Sequence, residues 1–87
     1  MPKKASIDKP IGKVTHYYDG IGVAIVKFIK PIKVGEMVCF RGSTTNFEQV
    51  IVSMQYDHED IKTAKKGQEV GIKVDGKVRE GDGVFEV

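Results

Sequence analysis

The sequence predicts an all-β protein, folded as a small closed β-barrel of about six strands. Short apolar runs rich in Val, Ile and Phe recur along the chain, and turns containing Gly, Asp or Pro separate them. No stretch shows the apolar period of a helix, and the runs recur at intervals of roughly 8 to 15 residues. Closure into a barrel would remove the edges that so many apolar strands otherwise expose.

The central stretch is residues 32–41, IKVGEMVCFR, which joins a turn to a strand. Gly35 supplies the positive φ that a tight turn needs at one position. The apolar run at residues 37–40 favours a strand, and alternation sends Val38 and Phe40 to one face.

The other strands are predicted from the same alternation of side chains. Residues 47–56 form one long predicted strand with Val52 on its inner face, and residues 61–66 form a loop that tucks Ile61 and Ala64 under the sheet. The expected strands span residues 11–16, 22–29, 37–40, 47–56, 69–74 and 84–87. The predicted barrel interior contains Val38, Phe40, Val52, Val70 and Ile72.

Length and composition indicate one small soluble domain. The chain has 87 residues, of which 40% are hydrophobic and 30% charged, and its net charge of +2 is too small to indicate nucleic-acid binding by itself. No apolar run approaches the ~20 residues of a membrane span, so no membrane partner is expected. Residues 1–9 are polar and lack the apolar core of a secretory signal, which predicts a flexible tail and a cytoplasmic protein.

Several short motifs follow one another in the order PIGKV, GVAIVKF, IKVGEMVCFRG, AKKGQEVGIKV and REGD. This order resembles the second-domain β-barrel of elongation factor Tu and related translational GTPases. The segments GKVTHYY, TTNFEQ and VREGD are more similar still to the C-terminal barrel appended to collagenase-like peptidase-family proteins, some of which are linked to tRNA modification. The resemblance implies a closed six-stranded Greek-key barrel of the translation-protein type over residues 10–87.

The chain departs from the translation-factor pattern near the end of one strand. Lys27-Phe28 stands where the factors usually have Gly-Arg, and Pro31 stands where they have Gly near the following turn. In the factors this strand end lies near the pocket for the aminoacyl end of tRNA. The sequence does not decide whether this chain retains that pocket. The chain contains no G-x-x-x-x-G-K-[ST] loop, which excludes GTP hydrolysis and leaves no nucleotide as an expected partner.

No residue pattern predicts catalysis, and the sequence indicates a protein that is not an enzyme. Residues 57–60, DHED, offer carboxylates and an imidazole, but consecutive residues cannot all face one ion, so no metal or other cofactor is expected. The sequence around Ser43 does not resemble a nucleophile elbow, so a catalytic triad of Ser43, His58 and an Asp is not expected. Cys39 stands between apolar neighbours, which indicates a packed thiol.

The candidate binding residues are basic and aromatic. Tyr17 and Tyr18 follow the first predicted strand, and if the strand pattern continues through them they should face opposite sides, so one of them is expected at the surface, either packing at the barrel rim or stacking a base while nearby amines hold phosphate. The residues predicted to contact RNA or a protein partner are Lys13, Tyr17, Tyr18, Lys27, Lys30 and Arg41.

Two functions from different classes follow for a binding module. In the first, the barrel contacts tRNA or ribosomal RNA as a translation-related accessory protein. In the alternative, it is a protein-interaction domain that docks on a separate collagenase-like peptidase or tRNA-modification subunit.

Overall fold

Ten β-strands and no helix make up residues 10–87, the part of the chain that the computed structural model describes. They are β1 Gly12–Tyr18, β2 Val23–Phe28, β3 Ile32–Lys33, β4 Met37–Arg41, β5 Asn46–Val50, β6 Met54–Tyr56, β7 Glu59–Ile61, β8 Thr63–Ala64, β9 Glu69–Lys73 and β10 Gly83–Glu86. The all-β prediction is confirmed, but about six strands is too low a count. The tail predicted over residues 1–9 lies outside the described residues. Within those residues there is no helix that could cross a membrane.

Eight of the strands form one antiparallel sheet in the order β5-β4-β10-β1-β2-β9-β6-β7, and β3 pairs with β8 in a small second sheet. The large sheet is strongly curled and forms a half-barrel around the core. The last strand, β10, lies between β1 and β4, so it joins the β4–β5 pair to the remainder of the sheet. Closure of the sheet into the predicted six-stranded Greek-key barrel is not confirmed.

The core forms where alternating strand residues turn to the concave side of the sheet. Four of the five predicted interior residues are fully buried, namely Val38, Phe40, Val70 and Ile72. Ala64 is fully buried, and Ile61 is half-buried against the core, as the sequence predicts for the segment after residue 60. That segment is not a loop, however, because it forms β7 and β8.

The prediction for Val52 is wrong, since 65% of this residue is exposed. The predicted strand over residues 47–56 is interrupted, because Ile51 pairs with the turn before β4. Its N–H donates to the carbonyl of Glu36 at 2.9 Å, and its carbonyl accepts from Gly35 N–H at 2.8 Å. The odd-numbered residues of β5 and Ile51 after it point inward, so Val52 points outward, and the phase changes only before Met54, which again points inward.

Three four-residue turns have the same backbone conformation and the same side-chain hydrogen bond. Each has Gly at its third position with a φ of +100°, +86° or +94°. In each, the side chain of the fourth residue accepts a hydrogen bond from the first residue's N–H, at 3.2, 2.8 and 2.8 Å in chain order. The turns are residues 33–36 (KVGE), 65–68 (KKGQ) and 79–82 (REGD). These short motifs are therefore turn signals with a common backbone requirement.

Asp82, the last residue of the third turn, also holds the loop between β4 and β5. Its carboxylate is buried and accepts hydrogen bonds from the Thr45 hydroxyl and the Arg79 N–H. The carboxylate lies against Gly42, where an added Cβ would stand 1.9 Å from Asp82 Oδ1. Gly42 is thus required by close approach, and the loop is fastened over the start of β10.

The side chain of Gln49, in the edge strand β5, forms hydrogen bonds to the backbone at the end of β9. Its Nε2 donates to the carbonyl of Lys73 at 2.9 Å, and its Oε1 accepts from Asp75 N–H at 2.8 Å. β5 and β9 are not neighbours in the sheet, so this buried amide links parts of the curled sheet that backbone pairing does not join.

Candidate binding surface

Basic side chains lie in one cross-strand row on the convex face of the sheet. Arg41 of β4 is opposite Gly83 of β10, Gly83 is opposite Lys13 of β1, and Lys13 is opposite Lys27 of β2. All three cations are exposed, and none of them forms an ion pair with another residue in the range 10–87. Like charges directly opposite each other are unfavourable in a sheet. We call Lys13, Lys27 and Arg41 the basic row.

Lys30, another predicted contact residue, does not belong to this row. Its Nζ lies 2.8 Å from Glu86 Oε2. The hydrogen bond to Glu86 raises the pKa of Lys30 above its ordinary 10.5. The structure therefore brings Lys13, Lys27 and Arg41 together and leaves Lys30 paired with an acid.

The two tyrosines face opposite sides of the sheet, as their adjacency in a strand predicts. Tyr17 is half-buried and packs against the core. Tyr18 is 48% exposed on the convex face, and its ring centroid lies 4.3 Å from that of His16. His16 Nδ1 lies 3.0 Å from Glu80 Oε2, so the Tyr18 ring rests on an anchored imidazole. Tyr18 is therefore the tyrosine available to a partner.

An apolar groove on the convex face was not found by sequence reasoning. The side chains of Tyr18, Ile21, Val23 and Ile25 line it around Gly71 of β9. Gly71 is opposite Ile25, and Ile21 is 64% exposed. We call this surface the β2–β9 groove.

The signal for this groove was present in β2. Antiparallel strands with one solvated face usually alternate apolar and polar residues. Residues 23–26 of β2 are instead continuously apolar, with Ala24 and Val26 in the core and Val23 and Ile25 half-buried on the convex face. Val23 and Ile25 are therefore two neighbouring apolar side chains on the outer face, and such an apolar patch indicates a surface that a partner covers.

Polar groups stand along one side of the β2–β9 groove. Asp57, His58 and Gln55 come from β6 and the turn that follows it, and Glu69 comes from the start of β9. Asp57 and His58 have φ values of +55° and +66°, the left-handed conformation of a tight hairpin turn. The Gln55 amide donates to Asp60 Oδ1 at 3.0 Å, which adds a further carboxylate beside this side of the groove.

The residues considered for chemistry in the sequence are dispersed over separate elements. Ser43 lies in the β4–β5 loop and His58 in the β6–β7 turn, and no hydrogen bond joins them. Cys39 is buried. Residues 10–87 contain no group of three or more His, Cys, Asp or Glu side chains that could hold a metal ion.

The chain is similar to proteins described as peptidases. It is 41% identical over 76 residues to a Methanocaldococcus jannaschii protein described as an uncharacterized protease. The match covers 86% of this chain but only 19% of that protein, so the chain spans about a fifth of the length of the curated relative. No protein-family model matches the chain.

Two crystal structures of the C-terminal domain of a Geobacillus thermoleovorans protein named as a U32 peptidase share the fold. The selenomethionine variant is 25% identical with a TM-score of 0.84, and covers 90% of this chain and 99% of that domain. The second is 22% identical with a TM-score of 0.84, and covers 100% of this chain and 98% of that domain. The resemblance to collagenase-like peptidase proteins is thus supported, whereas a resemblance to elongation factor Tu is not shown.

Proposed function

We propose that this chain is a non-catalytic docking domain, which binds the catalytic part of a U32-type peptidase. The similarity to a C-terminal domain of such a protein supports this proposal, because a C-terminal domain is one part of a larger protein. The M. jannaschii relative supports it as well, since most of that protein lies outside the match.

The observation that carries the proposal is the β2–β9 groove. Tyr18 and Ile21 are large and exposed and both line this groove, and the half-buried Val23 and Ile25 extend the same surface. Clustered apolar side chains of this kind mark protein contacts, whereas nucleic-acid surfaces are dominated by cations. A partner that covers these side chains would remove their apolar surface from water, which stabilises the complex by about 25 cal/mol for each Å² buried.

The absence of catalysis in this domain is part of the proposal. Ser43 and His58, which would have to cooperate in nucleophilic chemistry, lie on separate loops, and no hydrogen bond joins them within the described range. The Cys39 thiol is buried, which makes it a poor nucleophile. We expect no cleavage when the isolated chain is incubated with fluorescent casein or gelatin, and cleavage by the wild type that is lost in Ser43→Ala or Cys39→Ala would contradict the proposal.

Docking is tested by direct binding. The M. jannaschii relative would be produced without the region that matches this chain, and its binding to the chain measured by biolayer interferometry. We expect a dissociation constant in the range of about 1 to 100 µM, equivalent to roughly 5.5 to 8 kcal/mol. Ile25→Asp should weaken binding about tenfold or more, because it places a charge in the desolvated centre of the contact.

The matched control is Val50→Asp, which introduces the same charge at an exposed apolar residue of β5, outside the groove. It should bind as the wild type does. Equal losses in Ile25→Asp and Val50→Asp, or no binding by the wild type at ~1 mM, equivalent to about 4 kcal/mol, would contradict docking through this face.

RNA contact is a second candidate function, and the basic row carries it. Lys13 and Lys27 are held opposite each other, and neither forms an ion pair in residues 10–87 although Glu69 is the other cross-strand neighbour of Lys27, so an anionic ligand would stabilise this arrangement. This candidate keeps the closed Greek-key barrel of the translation-protein type as its structural basis. Both candidate functions assume a cytoplasmic protein.

The RNA candidate is tested by the salt dependence of tRNA binding. Each phosphate contact adds about one unit to the slope of log affinity against log salt, so Lys27→Ala should weaken binding and flatten the slope by about one unit. Lys77→Ala, an exposed lysine outside the row, serves as the control. If the wild type binds no tRNA in ~50 mM salt, where electrostatic contacts are strong, RNA contact is excluded.

A further inference from the structure

We propose that the β2–β9 groove binds an amphipathic partner segment, which seats an apolar side chain over Gly71 and directs Lys or Arg side chains toward Asp57 and Asp60. The inference rests on the proposed docking function, in which this segment belongs to the catalytic part of the peptidase. It assigns the chemistry of the segment and the position of its anchor.

Gly71 lies in the floor of the groove, and the side chains of Val23 and Ile25 lean over it. A Cβ built on Gly71 would lie 3.3 Å from Val23 Cγ1 and 3.5 Å from Ile25 Cδ1, so these two side chains leave little room for a side chain of its own. The φ of Gly71 does not demand glycine, because Gly71 is not among the positive-φ glycines and lies within a regular strand. Glycine in a strand often marks such a close approach of another group. Gly71, Val23 and Ile25 therefore form one continuous apolar floor, on which an incoming apolar side chain can lie.

Carboxylates along the β6–β7 side give the groove a preference for cations. Asp57 lines it, and Asp60 is held beside Gln55 by a hydrogen bond of 3.0 Å. Neither aspartate forms an ion pair with another residue of the described range. The Lys or Arg side chains of a segment bound here would pair with these two carboxylates, which is the charge complementarity typical of specific interfaces.

The cations near the groove decide where the basic side chains of the partner can lie. Lys27 is the cross-strand neighbour of Glu69, and Lys73 is the neighbour of Val23, so the β2 side and the far end of β9 already carry positive charge. The basic residues of the segment are therefore expected on the β6–β7 side. The net charge of +2 gives the chain no general attraction for a basic ligand, so such a ligand would bind through a local cluster of carboxylates.

The inference is tested with peptide probes and the complete, isotope-labelled chain in an NMR titration. One peptide of about ten residues alternates Leu and Lys, one replaces every Lys with Glu, and one replaces every Leu with Ser, because alternate side chains of an extended segment share one face. We expect the Leu–Lys peptide alone to shift the amide signals of Val23, Ile25 and Gly71. Equal shifts with the Leu–Glu peptide, or shifts confined to residues outside the groove, would overturn the inference.

Two variants separate the apolar floor from the charges. Gly71→Val places a branched side chain where Val23 and Ile25 already lie, so it displaces them, reshapes the floor, and should abolish the shifts or weaken binding about tenfold. Asp57→Asn should weaken Leu–Lys binding and reduce its salt dependence. Asn46→Val adds the same side chain as Gly71→Val at an exposed position of β5 and should bind normally. The dispersion of the amide spectrum reports folding of each variant, and the Asp57→Asn result stands if Gly71→Val does not fold.

Failure of this inference is distinguishable from failure of the proposed function. If the catalytic part of the relative binds the wild type and Gly71→Val equally, docking stands and the groove assignment is wrong. If the Leu–Lys peptide occupies the groove but the catalytic part does not bind, the groove assignment stands and its assignment to a peptidase is wrong.

Discussion

At the scale of single residues, a few buried side chains hold several elements at once. Phe40 is fully buried in β4, and its ring stacks on Phe47 of the neighbouring strand at 5.2 Å between centroids. Asp82 is 6% exposed and joins the β4–β5 loop to the turn before β10. Such residues contribute through packing and through satisfied buried polar groups, respectively.

Phe40→Ala should lower the free energy of unfolding by about 3 to 5 kcal/mol, because it removes a buried ring and leaves a cavity beside Phe47. Chemical denaturation measures the change. Met37→Ala in the same strand is the control, since Met37 is exposed and its loss should be well below that of Phe40. A loss under ~1 kcal/mol for Phe40→Ala would show that the core does not depend on this ring.

Asp82→Ala should cost about 1.5 to 3 kcal/mol, since the Thr45 hydroxyl and the Arg79 N–H lose a charged acceptor. Asp75→Ala removes an exposed carboxylate and should change stability by no more than about 0.5 kcal/mol. Thermal or urea unfolding of both variants compares the two positions. Equal effects at Asp82 and Asp75 would mean that the buried hydrogen bonds contribute nothing measurable.

At the scale of elements, the recurrent four-residue turn sets where strands begin. The turns at residues 33–36 and 79–82 precede β4 and β10, and the turn at residues 65–68 precedes β9. Each has a glycine with positive φ at its third position. The fourth side chain accepts the N–H of the first residue, so each turn satisfies a backbone donor that no strand partner reaches.

Gly35→Ala should destabilise the protein by about 1 to 2 kcal/mol, the cost of a left-handed conformation for a residue with a Cβ. Gly20→Ala is a matched control, because both glycines have open space around the added Cβ and only Gly35 has positive φ. Denaturant midpoints of the two variants isolate the backbone contribution. A Gly20→Ala variant that is equally destabilised would show that φ is not the cause.

At the scale of the whole molecule, the chain ends in a strand that the centre of the sheet requires. β10 pairs with β1 on one side and β4 on the other, so the last residues bridge the first strand and the β4–β5 pair. The radius of gyration is 11.7 Å, close to the about 12 Å expected for one compact domain of this length. The ten strands therefore form one compact domain.

A chain truncated after Gly81 should fail to fold, because it loses β10 and with it the only strand that links β4 to β1 in the described sheet. Removal of Val87 alone, an exposed residue after β10, should leave the fold intact. Circular dichroism and the dispersion of amide NMR signals report the result. A truncated chain with native dispersion would contradict the central role of β10.

Local pattern was enough to predict much of this fold. Alternation placed Val38, Phe40, Val70 and Ile72 in the core correctly, because each lies in a strand with uninterrupted neighbours. It failed for Val52, because residues 47–56 contain two strands of opposite phase, with the odd-numbered residues inward in β5 and Met54 inward in β6. Alternation of side chains predicts which residues point inward only along one uninterrupted strand.

The sequence by itself determined the all-β class, the turn positions around Gly35 and Gly67, and the opposite facing of Tyr17 and Tyr18, because each depends on propensity and alternation within a few residues. Only the tertiary structure decided that Lys13, Lys27 and Arg41 share a row and that Val23 and Ile25 pack over Gly71. Those arrangements follow from the pairing of strands far apart in the chain. Register between such strands is fixed by the packing of the whole core, which no local pattern encodes.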